Sequence, residues 1–315
     1  MKIGLDMMGG DYAPLEAVKG VQDFLSDKSD NVDLFLIGDE AQLKDLLIKY
    51  PVDPSKYTII DAPEVIGMHE HPTKALKEKQ RSSIAVGFYL LAKGQIDAFI
   101  SAGNTGAMLV GALYSIKAIG GISRPTIGTY LPRENGTLGL LLDAGINADC
   151  KPENLEQFAM LGSLFVQHVW NRPSPRVALL NIGEEEGKGN MLAQATFPLL
   201  KENKQINFIG NVEGRDLFLD KADVVVCEGF TGNVILKMAE SIHDITARRN
   251  IHDEYFDRFD FEQYGGVPVL GVAKPVIIGH GISHGPSFKN MIKIAQRMID
   301  SDLLGKIKES FTSPD

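Results

Sequence analysis

Cysteine is scarce. The 315-residue chain carries two, Cys150 and Cys227. They are too few and too far apart for a disulfide framework, and such usage fits a reducing cytoplasm. Cys227 lies inside an apolar run, where an inert thiol is expected, whereas Cys150 beside Lys151 is the one candidate thiolate. Long apolar runs are missing as well. None reaches the ~18–20 residues that span a bilayer, and the opening MKIGLDMMGGD lacks a charged n-region followed by an apolar h-region. The expected location is therefore cytoplasmic. A formal net charge of −9 argues against non-specific nucleic-acid binding. The G-x-G-x-x-G fingerprint is absent, which weakens a plain dinucleotide enzyme, and a serine hydrolase elbow is not expected. His69-Glu70-His71 and the His280, His284 pair have no third ligand near them in sequence, so no metal and no cofactor is expected.

What is present is a regular alternation. Apolar strand-like runs alternate with helical periods almost throughout, which predicts an α/β fold in three α/β/α layers around a mixed, mostly parallel sheet. Strands are expected at Lys2–Asp6, Asp33–Gly38, Tyr57–Asp61, Ala98–Ser101, Thr126–Leu131, Leu138–Asp143, Arg176–Asn181, Ile206–Gly210, Val224–Glu228 and Pro275–Gly279. The fifth and sixth flank Pro-Arg-Glu-Asn-Gly and read as an antiparallel hairpin. Helices are expected at 14–25, 40–49, 83–93, 106–116, 152–169, 190–200, 233–247 and 286–304. With no linker or repeat, residues 1–315 read as a single α/β domain, or two interleaved lobes, with 242–262 as a short helical segment.

Several strands run into glycine-rich polar turns. Val224–Lys237, VVVCEGFTGNVILK, reads as a strand, a Gly-Phe-Thr-Gly-Asn turn and a helix. Such a turn aims backbone N–H groups and the positive end of a helix at an oxyanion. Ser101, Gly103, Asn104, Thr105 and Gly106 repeat the design after the fourth strand. Two further loops carry Asn181, Glu184, Lys188 and Asn190, and then Asn211, Glu213 and Arg215. After the first strand come Asp6, Gly9, Gly10 and Asp11, where paired glycines permit close backbone approach and each Asp can accept hydrogen bonds or cap a helix. In open α/β sheets ligands bind beyond the carboxyl ends of strands, so these loops read as one constructed site. Lys188, between two glycines, is the candidate phosphate-binding ammonium. Asn233, Gly232 and Lys237 open the helix expected at 233–247, Asn233 also being placed to cap it.

Taken together, LDMMGGD, SAGNTGA, RPTI, LLDAGINADCKP, LLNIGEEEGKGN, GNVEGRD, VVVCEGFTGNVILK, Gln263-Tyr264-Gly265-Gly266 and VIIGHGIS closely resemble the bacterial phosphate acyltransferase family of phospholipid synthesis, PlsX, from Met1 to about Leu304. The resemblance implies transfer of a fatty acyl group from acyl carrier protein to inorganic phosphate, and a glycerol-phosphate acyltransferase that consumes the acyl phosphate. It also implies a fold like those of phosphotransacetylases and isocitrate/isopropylmalate dehydrogenases, and a homodimer. Phosphate is already an anionic nucleophile and needs positioning, while the thioester carbonyl needs donors as it becomes an oxyanion. The expectation is that Lys188 and the Gly103–Gly106 backbone hold phosphate and that Asn233 with the Gly232 turn stabilises the oxyanion.

Residues 242–262 depart from the family's longer lysine- and methionine-rich hairpin, which leaves peripheral membrane contact as a secondary expectation. Lys74, Lys77, Lys79 and Arg81 form the densest basic segment for an acidic carrier protein. The competing readings are a metal- and NAD-dependent dehydrogenase of the isocitrate type and a non-catalytic carrier-binding scaffold.

Overall fold

The fold is given by a computed structural model that describes residues 1–27 and 31–312; residues 28–30 and 313–315 of the expected domain lie outside the described residues. In chain order the elements are β1 (Lys2–Asp6), α1 (Leu15–Ser26), β2 (Asp33–Gly38), α2 (Glu40–Lys49), β3 (Tyr57–Asp61), α3 (Pro72–Glu78), α4 (Ser83–Ala92), β4 (Ala98–Ser101) and α5 (Thr105–Gly111). Then follow β5 (Thr126–Pro132), β6 (Leu138–Leu142), α6 (Pro152–Val169), β7 (Arg176–Leu180), α7 (Met191–Glu202), β8 (Asn207–Val212), β9 (Val224–Val226), α8 (Gly229–Arg248) and α9 (Glu254–Asp257). The chain closes with β10 (Gly266–Leu270), β11 (Val276–Gly279), α10 (Gly285–Asp300) and α11 (Leu303–Thr312).

Two units share these elements. Unit 1 comprises Met1–Ala118 and Phe261–Asp300, and unit 2 comprises Ile119–Asp260 and Ser301–Asp315. In unit 1 the strand order is β3-β2-β1-β4-β11-β10. All neighbours are parallel except β10, which runs antiparallel to β11. In unit 2 the order is β5-β6-β9-β7-β8, parallel except for the β5–β6 hairpin. Strands β4, β9 and β11 are buried along their whole length, as strands covered by helices on both faces must be. Each fully buried Val or Ile of such a strand contributes roughly 1.5–3 kcal/mol of transfer free energy. Helices α4 and α10 pack on the unit 1 sheet, while α6 and α7 pack on that of unit 2.

The expected hairpin is present, with Gly128 paired to Leu142 and Pro132 to Leu138. Three expectations are corrected. Gly-Phe-Thr-Gly-Asn is not a turn but the first turn and a half of α8, whose N-cap is Glu228, accepting from Thr231 N. Asn233 therefore caps nothing. Asp11 does not cap α1 either, whose N-cap position is Pro14 without a side-chain bond. Strand β8 runs on through Gly210, at φ +103, to Val212, so Asn211 is a strand residue. The register with β7 shifts there, between Val177 and Leu179, and an irregular strand with a left-handed glycine absorbs one residue without ending the ladder.

Candidate active site

Each unit ends a central strand in a buried aspartate. In unit 1 this is Asp6, 1 % exposed, whose carboxylate accepts from Ser101 Oγ at 2.7 Å and Met8 N at 2.9 Å. Ser101, fully buried, in turn accepts from Gly103 N at 2.9 Å. Gly9 fits beneath: a Cβ there would lie 2.3 Å from Asp6 Oδ2 and 2.7 Å from Gly103 N. Gly10, at φ +109, lets Asp11 N donate to Gly281 O at 2.7 Å. Asn104 caps α5 by accepting from Ala107 N at 2.9 Å, and its amide nitrogen donates to the carbonyls of Gly67, Met68 and Glu70. Asp6, Ser101 and Asn104 thus hold the loop through these hydrogen bonds. The Thr105 and Gly106 amides have no partner among the described residues, as first-turn helical N–H groups commonly lack one.

In unit 2 the carboxylate is Asp143, fully buried. It accepts from Gly145 N, Ile146 N and Asn147 N at 2.8, 3.0 and 3.0 Å, and from the Asn147 side-chain amide. Asn147 O then receives Gly229 N, the first residue of α8, at 2.7 Å. Close approach explains the glycines of α8. A Cβ on Gly232 would stand 1.8 Å from Asp143 O, and one on Gly229 2.8 Å from Asn147 O. Sequence reasoning quoted the motif around Asp143 without singling out the residue. Its signal was an aspartate ending an apolar strand before a glycine loop, as at Asp6. Burial pushes both carboxyls above the ordinary 3.8, against the hydrogen bonds that favour their charged forms.

The remaining unit 2 loops follow adjacent parallel strands. Asn190 caps α7 by accepting from Ala193 N, Asn181 donates to Lys188 O, and Asn211 donates to Glu185 O. Three asparagines therefore shape the Lys188 loop. Several charges are answered locally: Glu184 by Lys221, Glu186 by Lys201, Arg215 by Glu213 and Lys237 by Glu240. Neither the Lys188 nor the Asn233 side chain has a partner among the described residues. Asn233 lies against Gly145, whose Cβ position is 3.4 Å from Asn233 Oδ1. The Gly232 amide donates to Glu228 O and is unavailable to a ligand.

Other expectations resolve as follows. Burial raises the Cys150 thiol to about 11 and Cys227 well above its ordinary value, so neither is a ready thiolate. Gly281-Ile282-Ser283-His284-Gly285, overlooked in the sequence, does match G-x-S-x-G and does join β11 to α10. It is no nucleophile elbow: Ser283 is 2 % exposed and its φ is not positive, whereas an elbow presents its serine on a strained, open turn. The basic segment is partly neutralised, with Lys79 bound to Glu70 and Arg81 to Asp61. Among the described residues no group of three or more His, Cys, Asp or Glu is arranged to hold a metal ion, and no helix is long and apolar enough to cross a membrane.

Residues 1–254 match the model of a family described as fatty acid synthesis protein. The phosphate acyltransferase of Dictyoglomus turgidum is 44 % identical over 332 residues, covering 98 % of this chain and 97 % of the relative. The fold is similar to that of a phosphotransacetylase from Streptococcus pyogenes, at TM-score 0.65 and 19 % identity over 95 % of this chain and 94 % of the other. It is also similar to that of a branched-chain phosphotransacylase from Enterococcus faecalis, at TM-score 0.62 and 15 % identity over 95 % and 99 %. The near-complete match in sequence, over the very loops that the strand-end aspartates organise, shows that the chain belongs to the phosphate acyltransferase family, a family of acyltransferases.

Proposed function

We propose that this chain transfers a fatty acyl group from acylated acyl carrier protein to inorganic phosphate, releasing an acyl phosphate that a glycerol-phosphate acyltransferase consumes in making phosphatidic acid. The observation that carries this reading is the 44 % identity to a phosphate acyltransferase across essentially the whole chain. A phosphate oxygen attacks the thioester carbonyl, the C–O bond forms, and the carbonyl becomes an oxyanion. Its collapse breaks the C–S bond, and the carrier thiolate leaves and takes up a proton. Two side chains of unit 2 are assigned roles. The Lys188 ammonium, on a loop shaped by three asparagines, draws the phosphate dianion as a point charge. The Asn233 amide donates to the developing oxyanion, a contact of the kind whose removal costs about 10²–10³ in rate. Asp143 positions the loop that abuts Asn233. In unit 1 the open Thr105 and Gly106 amides are donors for an oxyanion in their own right. No cofactor enters the reaction.

Helix α8 presents Phe230, Val234, Met238 and Ile245 to solvent, at 67, 46, 66 and 46 % exposure. That apolar stripe supports a homodimer, with peripheral membrane contact as the secondary use. The test is incubation with acyl carrier protein thioester while free carrier thiol is followed. Thiol release that rises with phosphate concentration is expected; release indifferent to phosphate, or none, rejects the reading.

A further inference from the structure

The amino-terminal ends of the unit 2 strands carry a second polar cluster, at the opposite end of β6, β7 and β9 from Asp143, Asn181 and Glu228. Asp223, just before β9, accepts from Arg172 Nη1 at 2.6 Å, Arg176 Nε at 3.0 Å and Arg133 Nη1 at 3.2 Å. Asp220 takes Arg133 Nη1 at 3.0 Å and Arg176 Nη2 at 2.5 Å. Three guanidiniums thus face two carboxylates, an excess of one positive charge in a chain whose net charge is −9. Arg133 is 1 % exposed, and its Nε, buried against Gly139, has no partner among the described residues. Arg172 uses Nη1 alone, toward Asp223 and Leu138 O. Its Nε and Nη2 have no partner among the described residues, which leaves three N–H donors on one edge of the fork. The same residues line a cavity of about 340 Å³, at the small end of ligand pockets and large enough for about ten waters.

A clamp that only fastened strand ends would balance its charges and close over them. This cluster keeps an excess cation beside an open cavity with an unused donor edge. We infer that the cavity bounded by Arg133, Arg172 and Arg176 is an anion-binding site, separate from the acyl-transfer residues, that takes a small phosphate-class oxyanion through the free edge of Arg172. A tetrahedral oxyanion accepts more hydrogen bonds than a carboxylate and suits the fork geometry of arginine. The volume leaves room for a small organic body, so the class includes both free phosphate and a phosphomonoester.

Isothermal titration calorimetry on the full chain tests this with methyl phosphate, inorganic phosphate and acetate. Methyl phosphate binding is expected to be saturable, at least tenfold weaker in Arg172→Gln, and unchanged in Lys188→Ala, which separates it from the phosphate handling proposed above. Inorganic phosphate is titrated into Lys188→Ala, where binding at the acyl-transfer residues is weakened: affinity equal to that of methyl phosphate identifies the free anion as ligand, and markedly weaker affinity identifies a phosphomonoester. Arg172→Lys retains the charge opposite Asp223 and loses the fork, so it should also bind several-fold more weakly, and it serves where Arg172→Gln does not fold. No saturable methyl phosphate heat in the unsubstituted chain, equal binding in either Arg172 variant, or acetate binding as tight as methyl phosphate would overturn the inference.

Discussion

Asp6 and Asp143 are two versions of one device. Each ends a central strand, is buried, and accepts N–H groups of the glycine loop that follows. They differ in where the carboxylate reaches. Asp6 binds sideways to Ser101 on the neighbouring strand, and the polar side chains around it are engaged internally. The Thr105 and Gly106 amides and the buried Ser283 Oγ have no partner among the described residues. Asp143 turns onto its own loop, four donors deep, and fixes that loop to the start of α8. In the same unit the Asn233 and Lys188 side chains have no partner among the described residues. Unit 2 thus carries two unengaged polar side chains, Lys188 and Asn233, to which the proposed chemistry is assigned.

The comparison is broken most severely at the glycines packed against each aspartate. Gly232→Ala forces a methyl to within 1.8 Å of Asp143 O, so a loss of at least ~3 kcal/mol is expected by urea denaturation. Next is Asn233→Ala, expected to lower kcat about 10²–10³-fold while stability changes by less than ~0.5 kcal/mol, because the side chain is unpaired. Lys188→Ala should raise the phosphate KM at least about tenfold, the scale of one charge-assisted hydrogen bond, with the urea midpoint unmoved. Steady-state kinetics at varied phosphate and circular dichroism check both.

The smallest effect sharpens the Asp6 half. Its folded pKa is raised above 3.8, with burial the leading cause, so the folded chain holds that proton more tightly than the unfolded one. The stability this confers is present below about pH 4 and falls as pH rises through the folded value. In Asp6→Asn, which has no titrating proton, that fall should disappear. Identical slopes of urea midpoint against pH in the two proteins would show that burial of this carboxylate carries no such cost.

Much of the fold was legible. Strands β1 to β4 fall at the expected residues because continuous apolar runs end there in Gly, Asp or Ser. Strand β10 was hidden by Pro268 inside it, and α11 by reading one helix through Ser301. The GFTGN segment shows why the site was harder. Two glycines within four residues signal a turn when judged by backbone freedom. Here neither has positive φ; both are small so that α8 can lie on Asp143 and Asn147, a demand set by tertiary approach. The loops themselves were legible, but not which polar atoms remain unengaged, since Asn104, Asn181, Asn190 and Asn211 all turn out to fasten backbone.

The most direct test is the phosphorus-31 spectrum of a mixture of this protein, inorganic phosphate and acylated carrier protein. An acyl phosphate resonance growing in step with free carrier thiol is predicted. Thiol release accompanied by free fatty acid and no acyl phosphate would contradict the account.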